Sequence, residues 1–180
     1  HIYIYDEIGP GGITAKQIQK QVNEASGNSI MLHFDSPGGS VYEGYAIYNI
    51  LNNSGKEVNS TIVGMCASIA TLIACAGKKI VMLPLSQWLV HPPMSGIQGR
   101  AEDLRTAAAE LDKIENTIIG IYAQRTGKTN EEIKALMAED KFLSASEALA
   151  MGFVDEVKER IKAVAYYTPN NSTDNMKDIE

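Results

Sequence analysis

Residues 63–77 read VGMCASIATLIACAG, and a single serine, Ser68, stands among small and apolar neighbours where a strand-like run turns helical. A strand is expected over about Val58 to Val63, since β-branched residues suit a pleated, half-buried surface. Taken alone, the stretch fits a buried core helix with Ser68 as filler as well as it fits a functional turn. It does not fit a membrane span: residues 61–76, TIVGMCASIATLIACA, are too few and carry Gly, Ser and Thr, so a buried element is expected.

Working outward, the same alternation recurs. HIYIY at 1–5 is strand-like and GPGG at 9–12 is a turn, after which Thr14 has the chemistry of an N-cap for a helix to about Glu24, with Ile18 and Val22 on one stripe. IMLHF at 30–34 is a second strand running into DSPGGSV. A helix from about Val41 to Leu51 follows, with Tyr45, Ile47 and Tyr48, and is closed by NNSG at 52–55. KKIVML at 78–83 and WLVH at 88–91 are further strands, the second stopped by Pro92 and Pro93. Strand, crossover and strand in repetition predict an α/β fold with a parallel sheet and right-handed connections.

From Ala101 to about Arg125 the period changes to one long amphipathic helix carrying Leu104, Ala108, Leu111, Ile118 and Tyr122. At 1.5 Å per residue it extends roughly 37 Å, more than the sheet beneath it needs, and the excess invites a partner. Thr129 to Met137 reads as another helix with a capping box from Thr129 to Glu132. FLSASEALAMGFVDEV then supplies a short helix ended by Gly152 and a last strand-like run. The polar YYTPNNSTDNMKDIE tail reads as an extension of a domain that spans about 1–160.

Bulk properties exclude several classes. The chain has 180 residues, 44% hydrophobic and 21% charged, enough for one substantial core and typical of a single domain. A net charge of -6 without a long Lys/Arg cluster argues against nucleic acid or an anionic membrane as partner. Cys66 and Cys75 are the two cysteines; both lie in the apolar stretch, where packing by small residues is expected over a disulfide or a zinc site, in a reducing compartment. No charged-then-apolar leader opens the chain at His1.

Ser68 follows a strand and starts a helix, with Gly64, Ala67 and Ala70 allowing close backbone approach. That geometry holds a hydroxyl before free helix N–H groups and the positive dipole end. A serine needs a base to become a nucleophile, and the base needs an orienting group. Among three histidines, His1 is terminal and His33 lies within a strand, whereas His91 ends a strand on the edge where parallel α/β sheets bind ligands. The DSPGG loop ends its strand on that edge too, so the Gly38 N–H is available to a developing oxyanion beside the N–H of Ile69. Spacing does not choose the third member: Asp35, Asp103, Asp112, Asp140 and Asp155 all qualify.

FDSPGGSV at 34–41, GMCASIATLIACAG at 64–77, VHPP at 90–93 and EDKFLSASEALAMGFVDEV at 139–157 together resemble the ClpP-type serine peptidases, in order and spacing, over roughly residues 1–160. The resemblance implies a spiral of ββα units related to the crotonases, with a long protruding handle helix at about 101–125 that interdigitates with a facing subunit. It implies Ser68 as nucleophile, His91 as general base and Asp140 as the orienting acid. Gly38 and Ile69 would form the oxyanion hole, and Gly39 and Ser40 would lie along the substrate. No cofactor and no metal are implied. The expected activity is hydrolysis of polypeptide bonds inside a homo-oligomeric chamber of stacked rings, a heptamer or tetradecamer, in the bacterial cytoplasm.

HIYIYDEIG, SVYEGYAIYNIL and AEDLR resemble more closely the phage branch of head-maturation proteases, which implies a prophage-encoded setting. The family's pore-lining segment ahead of the first strand has no counterpart before His1, so the sequence supports no partnership with an AAA+ unfoldase. Two other functions compete: a crotonase-like acyl-CoA hydratase or isomerase, which needs paired oxyanion donors but no Ser-His pair, and an inactive capsid-associated scaffold.

Overall fold

A computed structural model describes residues 1–158 of the chain. The tail read from sequence at 161–180 lies outside the described residues. The elements in order are β1 (Ile2–Ile4), α1 (Ala15–Glu24), β2 (Ser29–Ser36), α2 (Val41–Asn52), β3 (Glu57–Ala67), α3 (Ile69–Ala74), β4 (Lys79–Met82), β5 (Gln87–Leu89), α4 (Ala101–Thr126), α5 (Asn130–Ala138), β6 (Phe142–Ser144), α6 (Ala145–Ala150) and β7 (Glu156–Val157). The architecture is the mixed α/β fold with a parallel sheet that the strand–helix alternation predicts.

Locally encoded signals explain several boundaries. Thr14 Oγ1 accepts the Gln17 N–H while Gln17 Oε1 accepts the Thr14 N–H, a reciprocal cap that starts α1. Thr129 and Glu132 do the same for α5, and Ser144 and Glu147 for α6. Gly127 ends α4 at φ +73°, a left-handed turn that suits glycine.

The sheet runs β1-β2-β3-β4-β7 with all four pairings parallel. β3 changes partner along its length: residues Asn59–Ile62 pair with β4, and Met65–Ala67 pair with β5. The change follows an irregularity where the β2–β3 register shifts between Phe34 and Ser36. Asp35 fills that gap, one carboxylate oxygen accepting the Met65 N–H at 2.9 Å. A β-carbon on Gly64 would stand 2.5 Å from the same oxygen, so a larger residue there would displace the Asp35 carboxylate. The result is a strand that continues past β4 and delivers Ser68 next to β5.

The sequence-based strand at 88–91 is corrected by the structure, which ends β5 at Leu89 and leaves Val90 and His91 beyond it. β6 pairs antiparallel with β5, Phe142 opposite Leu89 and Ser144 opposite Gln87; this pairing was not expected from the sequence.

The core is carried by β-branched and leucine side chains on the inner strands, packed by Ile18 and Val22 of α1 and Ile47 and Leu51 of α2. All six residues of α3 are buried. α4 behaves differently, since its buried residues are Ile118, Ile119 and Tyr122 and none precedes Ile118. Its first two turns are largely exposed, with Leu104 43% exposed, whereas Ile114 further along packs against the core. Among the described residues, no helix is long and apolar enough to cross a membrane.

Candidate active site

Ser68 sits between the end of β3 and the start of α3 at φ +55°, ψ -132°, and its side chain makes no cap bond. Such backbone is rare for a residue with a β-carbon and persists only where the surroundings over-determine it. Here they do. The Ser68 N–H donates to the Leu89 carbonyl at 2.9 Å, and the Ser68 carbonyl accepts from both the Thr71 N–H at 3.0 Å and Thr71 Oγ1 at 2.6 Å. The first of these bonds ties the serine to the end of β5, two positions before His91.

The glycine loop closes over this turn. Gly38 has φ +95°, and a β-carbon on it would lie 2.6 Å from Ser68 Cβ, 2.7 Å from the Ala67 carbonyl oxygen and 3.1 Å from Ile69 N. Only glycine permits that approach. The loop is anchored from the other side by Ile8, whose N–H donates to the Gly38 carbonyl and whose carbonyl accepts the Ser40 N–H, each at 2.7 Å. Ser36 Oγ donates to the Asp6 carbonyl at 2.7 Å and accepts the Gly38 N–H at 3.2 Å. Ile69, at the first position of α3, has an N–H with no acceptor inside the helix.

Ser68, His91, Gly38 and Gly39 line one open cavity of about 400 Å³. Ser40 and Gly39 line a neighbouring apolar cavity of about 320 Å³ with Val41, Met94, Ile97 and Leu111. Ser40 also has a structural task, its Oγ accepting the Glu43 N–H at the start of α2. The two cavities share Gly39, Val41, Pro93 and Met94, so they form one continuous cleft. Cavities of about 430 and 740 Å³ elsewhere contain neither Ser68 nor His91. Most of their cationic side chains are already paired: Lys56 with backbone carbonyls, Lys78 with Glu57, Lys79 with Glu156 and Arg125 with Asp155.

The other two histidines lie away from this cleft. His33, on β2, stacks on Tyr3 and on His1, ring centroids 4.9 and 5.1 Å apart. Burial is the main cause holding its imidazole below the ordinary value.

Of the five aspartates left open by spacing, three have other partners. Asp35 bridges the β2–β3 irregularity, Asp103 accepts the Arg100 N–H at the start of α4, and Asp155 accepts the Ile80 N–H and the Arg125 guanidinium. Asp112 is on the exposed part of α4. Asp140 is exposed, lies outside the residues lining the cleft and adopts φ +46°. Its position relative to β5 is nevertheless informative. The β5–β6 ladder ends at the Leu89–Phe142 pair, two residues from His91 on one strand and two from Asp140 on the other. No hydrogen bond joins the side chains of Ser68, His91 and Asp140 among the described residues.

Ile8 and Ser36 escaped notice in the sequence, and Asp35 was considered there only as an orienting acid, although each builds the site. Ile8 falls in a turn-rich segment, and only the fold shows that it pairs with a loop thirty residues on.

The Clp protease family model matches residues 2–161. The ATP-dependent Clp protease proteolytic subunit of Porphyromonas gingivalis is 35% identical over 153 residues, 82% of this chain and 69% of that protein. The protein of the same description from Streptococcus gordonii is 40% identical over 136 residues, 73% of this chain and 69% of that protein.

Proposed function

The chain belongs to the Clp protease family, and from that premise we propose that it is a serine endopeptidase with Ser68 as nucleophile, His91 as general base and Asp140 as the group that orients the imidazole. The observation that carries the reading is the single cleft lined by Ser68, His91 and the glycine loop. Ser68 has its Oγ free of any cap bond and its backbone fixed by Leu89 and Thr71.

In the proposed reaction Ser68 Oγ bonds to the carbonyl carbon of the scissile peptide as its proton passes to His91. The oxyanion so formed accepts the N–H groups of Gly38 and Ile69. In the resting site Gly38 N–H is held by a neutral hydroxyl at 3.2 Å, a long bond. An anionic acceptor forms a stronger one, so the donor exchanges toward substrate. The C–N bond then breaks, and His91 gives its proton to the leaving amine. Water attacks the acyl ester with His91 again taking the proton, which releases the carboxylate and restores Ser68.

Substrate would lie extended along Gly39 and Ser40. Gly38 C=O and Ser40 N–H both turn to Ile8, so the intervening Gly39 presents its own N–H and C=O to the opposite side, where a peptide strand can pair with them. The apolar walls from Val41, Met94 and Ile97 favour apolar side chains there. We further propose assembly into stacked rings of seven through the protruding turns of α4, which would enclose the cleft in a chamber. The finer resemblance to phage head-maturation proteases extends the proposed substrates to capsid-associated polypeptides.

A fluorophosphonate probe tests the reading. Labelling of the purified protein that disappears in Ser68→Ala, with hydrolysis of a fluorogenic peptide lost in parallel, is expected. An unlabelled parent, or a Ser68→Ala variant that still labels, would overturn it.

A further inference from the structure

The hydroxyls of Thr71 and Tyr122 meet at 2.6 Å in the core, although 51 positions separate them in the chain. Thr71 is fully buried and Tyr122 is 2% exposed. The direction of the bond follows from the neighbouring one. Thr71 Oγ1 gives its proton to the Ser68 carbonyl at 2.6 Å, so its remaining capacity toward Tyr122 is as an acceptor, and Tyr122 Oη is the donor. A line of two hydroxyls thus runs from the seated end of α4, through α3, to the carbonyl of a residue held at φ +55°.

A threonine bonding back to the carbonyl three residues earlier is common in helices. The second hydroxyl changes its meaning. A donor into Thr71 Oγ1 polarises that hydroxyl and strengthens the bond it makes in turn, an effect enhanced where the surroundings are dry. It also fixes the Thr71 rotor, which would otherwise choose among acceptors. Tyr122 is itself held edge-on against Phe153, ring centroids 5.5 Å apart, and Phe153 packs on Trp88 of β5 at 5.4 Å. Burial above all raises the Tyr122 phenol above its ordinary range, which favours the protonated donor.

We infer that Thr71, and Tyr122 through it, are positioning residues for Ser68: the two-hydroxyl relay pins the Ser68 carbonyl and so holds the serine in its strained backbone at the wall of the cleft. The inference rests on the reading of Ser68 as nucleophile.

The test uses full-length protein and four variants: Thr71→Val, Thr71→Ser, Tyr122→Phe and the double variant Thr71→Val/Tyr122→Phe. The readouts are kcat and KM on a fluorogenic peptide and the rate of fluorophosphonate labelling. Loss of the relay displaces the reacting oxygen, so Thr71→Val should lower kcat and the labelling rate by about tenfold or more, with KM within about twofold. Thr71→Ser keeps the hydroxyl and should restore both. Tyr122→Phe should lose several-fold, and the double variant should be no worse than Thr71→Val alone, because Tyr122 acts only through Thr71. A role confined to core packing predicts lower melting temperatures with kcat unchanged. That result would overturn the inference, as would losses that multiply in the double variant. Failure of the nucleophile reading is seen separately, as an unlabelled parent or a labelled Ser68→Ala. In that event the crystal structure of Thr71→Val still decides the relay, which is overturned if the Ser68 φ stays in its positive region.

Discussion

Gly38 approaches Ser68 so closely that a β-carbon on the glycine would stand 2.6 Å from Ser68 Cβ. The same added atom would meet the Ala67 carbonyl oxygen at 2.7 Å, which is backbone and cannot swing aside. Gly38→Ala must therefore push the loop away from the turn, and its φ of +95° adds strain. The Gly38 N–H would then leave the position proposed for the oxyanion, a loss on the order of 3 kcal/mol in the transition state. We expect kcat/KM to fall by roughly a hundredfold, while the far-ultraviolet circular dichroism spectrum stays that of the parent. Undiminished turnover would show that this amide is not a donor to the reaction.

The aspartates offer a comparison within one protein. Asp140→Asn preserves the side chain's shape and its tolerance of φ +46°, and removes only the charge that would orient the His91 imidazole. A fall in kcat of roughly a hundredfold or more is expected. Asp112→Asn, on the exposed part of α4, should leave kcat unchanged. Equal activity in the two variants would remove Asp140 from the proposed triad.

What was legible in the sequence was what is decided locally. The caps at Thr14 and Thr129 are visible because donor and acceptor lie three residues apart, and the parallel strands because their β-branched runs alternate with helical periods. β6 was missed, since three residues, FLS, carry no period of their own and form a strand only through β5. The partner change in β3 was equally hidden: it depends on Asp35 reaching the Met65 amide across two strands. Ser68, His91 and the glycine loop could be nominated because parallel topology gathers strand ends at one edge. Asp140 could not be chosen among five aspartates by spacing, and its rivals became distinguishable only once Asp35, Asp103 and Asp155 were seen bonded elsewhere.

Burial makes the thiols sensitive to alkaline pH. It pushes the Cys75 thiol up to about 12 and Cys66 well above its ordinary value, and it raises the Tyr122 phenol too. In each case the native state keeps a proton that the unfolded chain releases. Stability is therefore lost as pH climbs through the unfolded values, from about 9 for the thiols, and the loss from Cys75 levels off near 12. Melting temperature should fall steadily above about pH 9, and Cys75→Ala should flatten part of that decline. With its thiol partly buried and held protonated above its ordinary range, Cys75 should react with a disulfide reagent in the native protein more slowly than in denaturant. Rapid labelling of both cysteines in native protein would contradict this burial.

The long helix carries the last prediction. Its seated end is tied to the body by several independent contacts: Ile118, Ile119 and Tyr122 in the core, the Tyr45 hydroxyl donating to the Ile114 carbonyl, and Arg125 reaching Phe153 and Asp155. None of these involves the turns from Ala101 to Leu111, where Leu104 is 43% exposed. An apolar side chain repeated along a projecting helix gains little in water and much against a second copy of itself. Leu104→Glu with Ala108→Glu, both exposed and outside the lining of the cleft, should leave the monomer fold intact, because no residue of α4 before Ile118 is buried. It should nevertheless disrupt association between copies. Light scattering is expected to show a smaller particle than the parent, with an unchanged monomer melting transition and reduced hydrolysis of unfolded protein. A double variant of parental size would mean that the rings proposed for this chain are held together elsewhere.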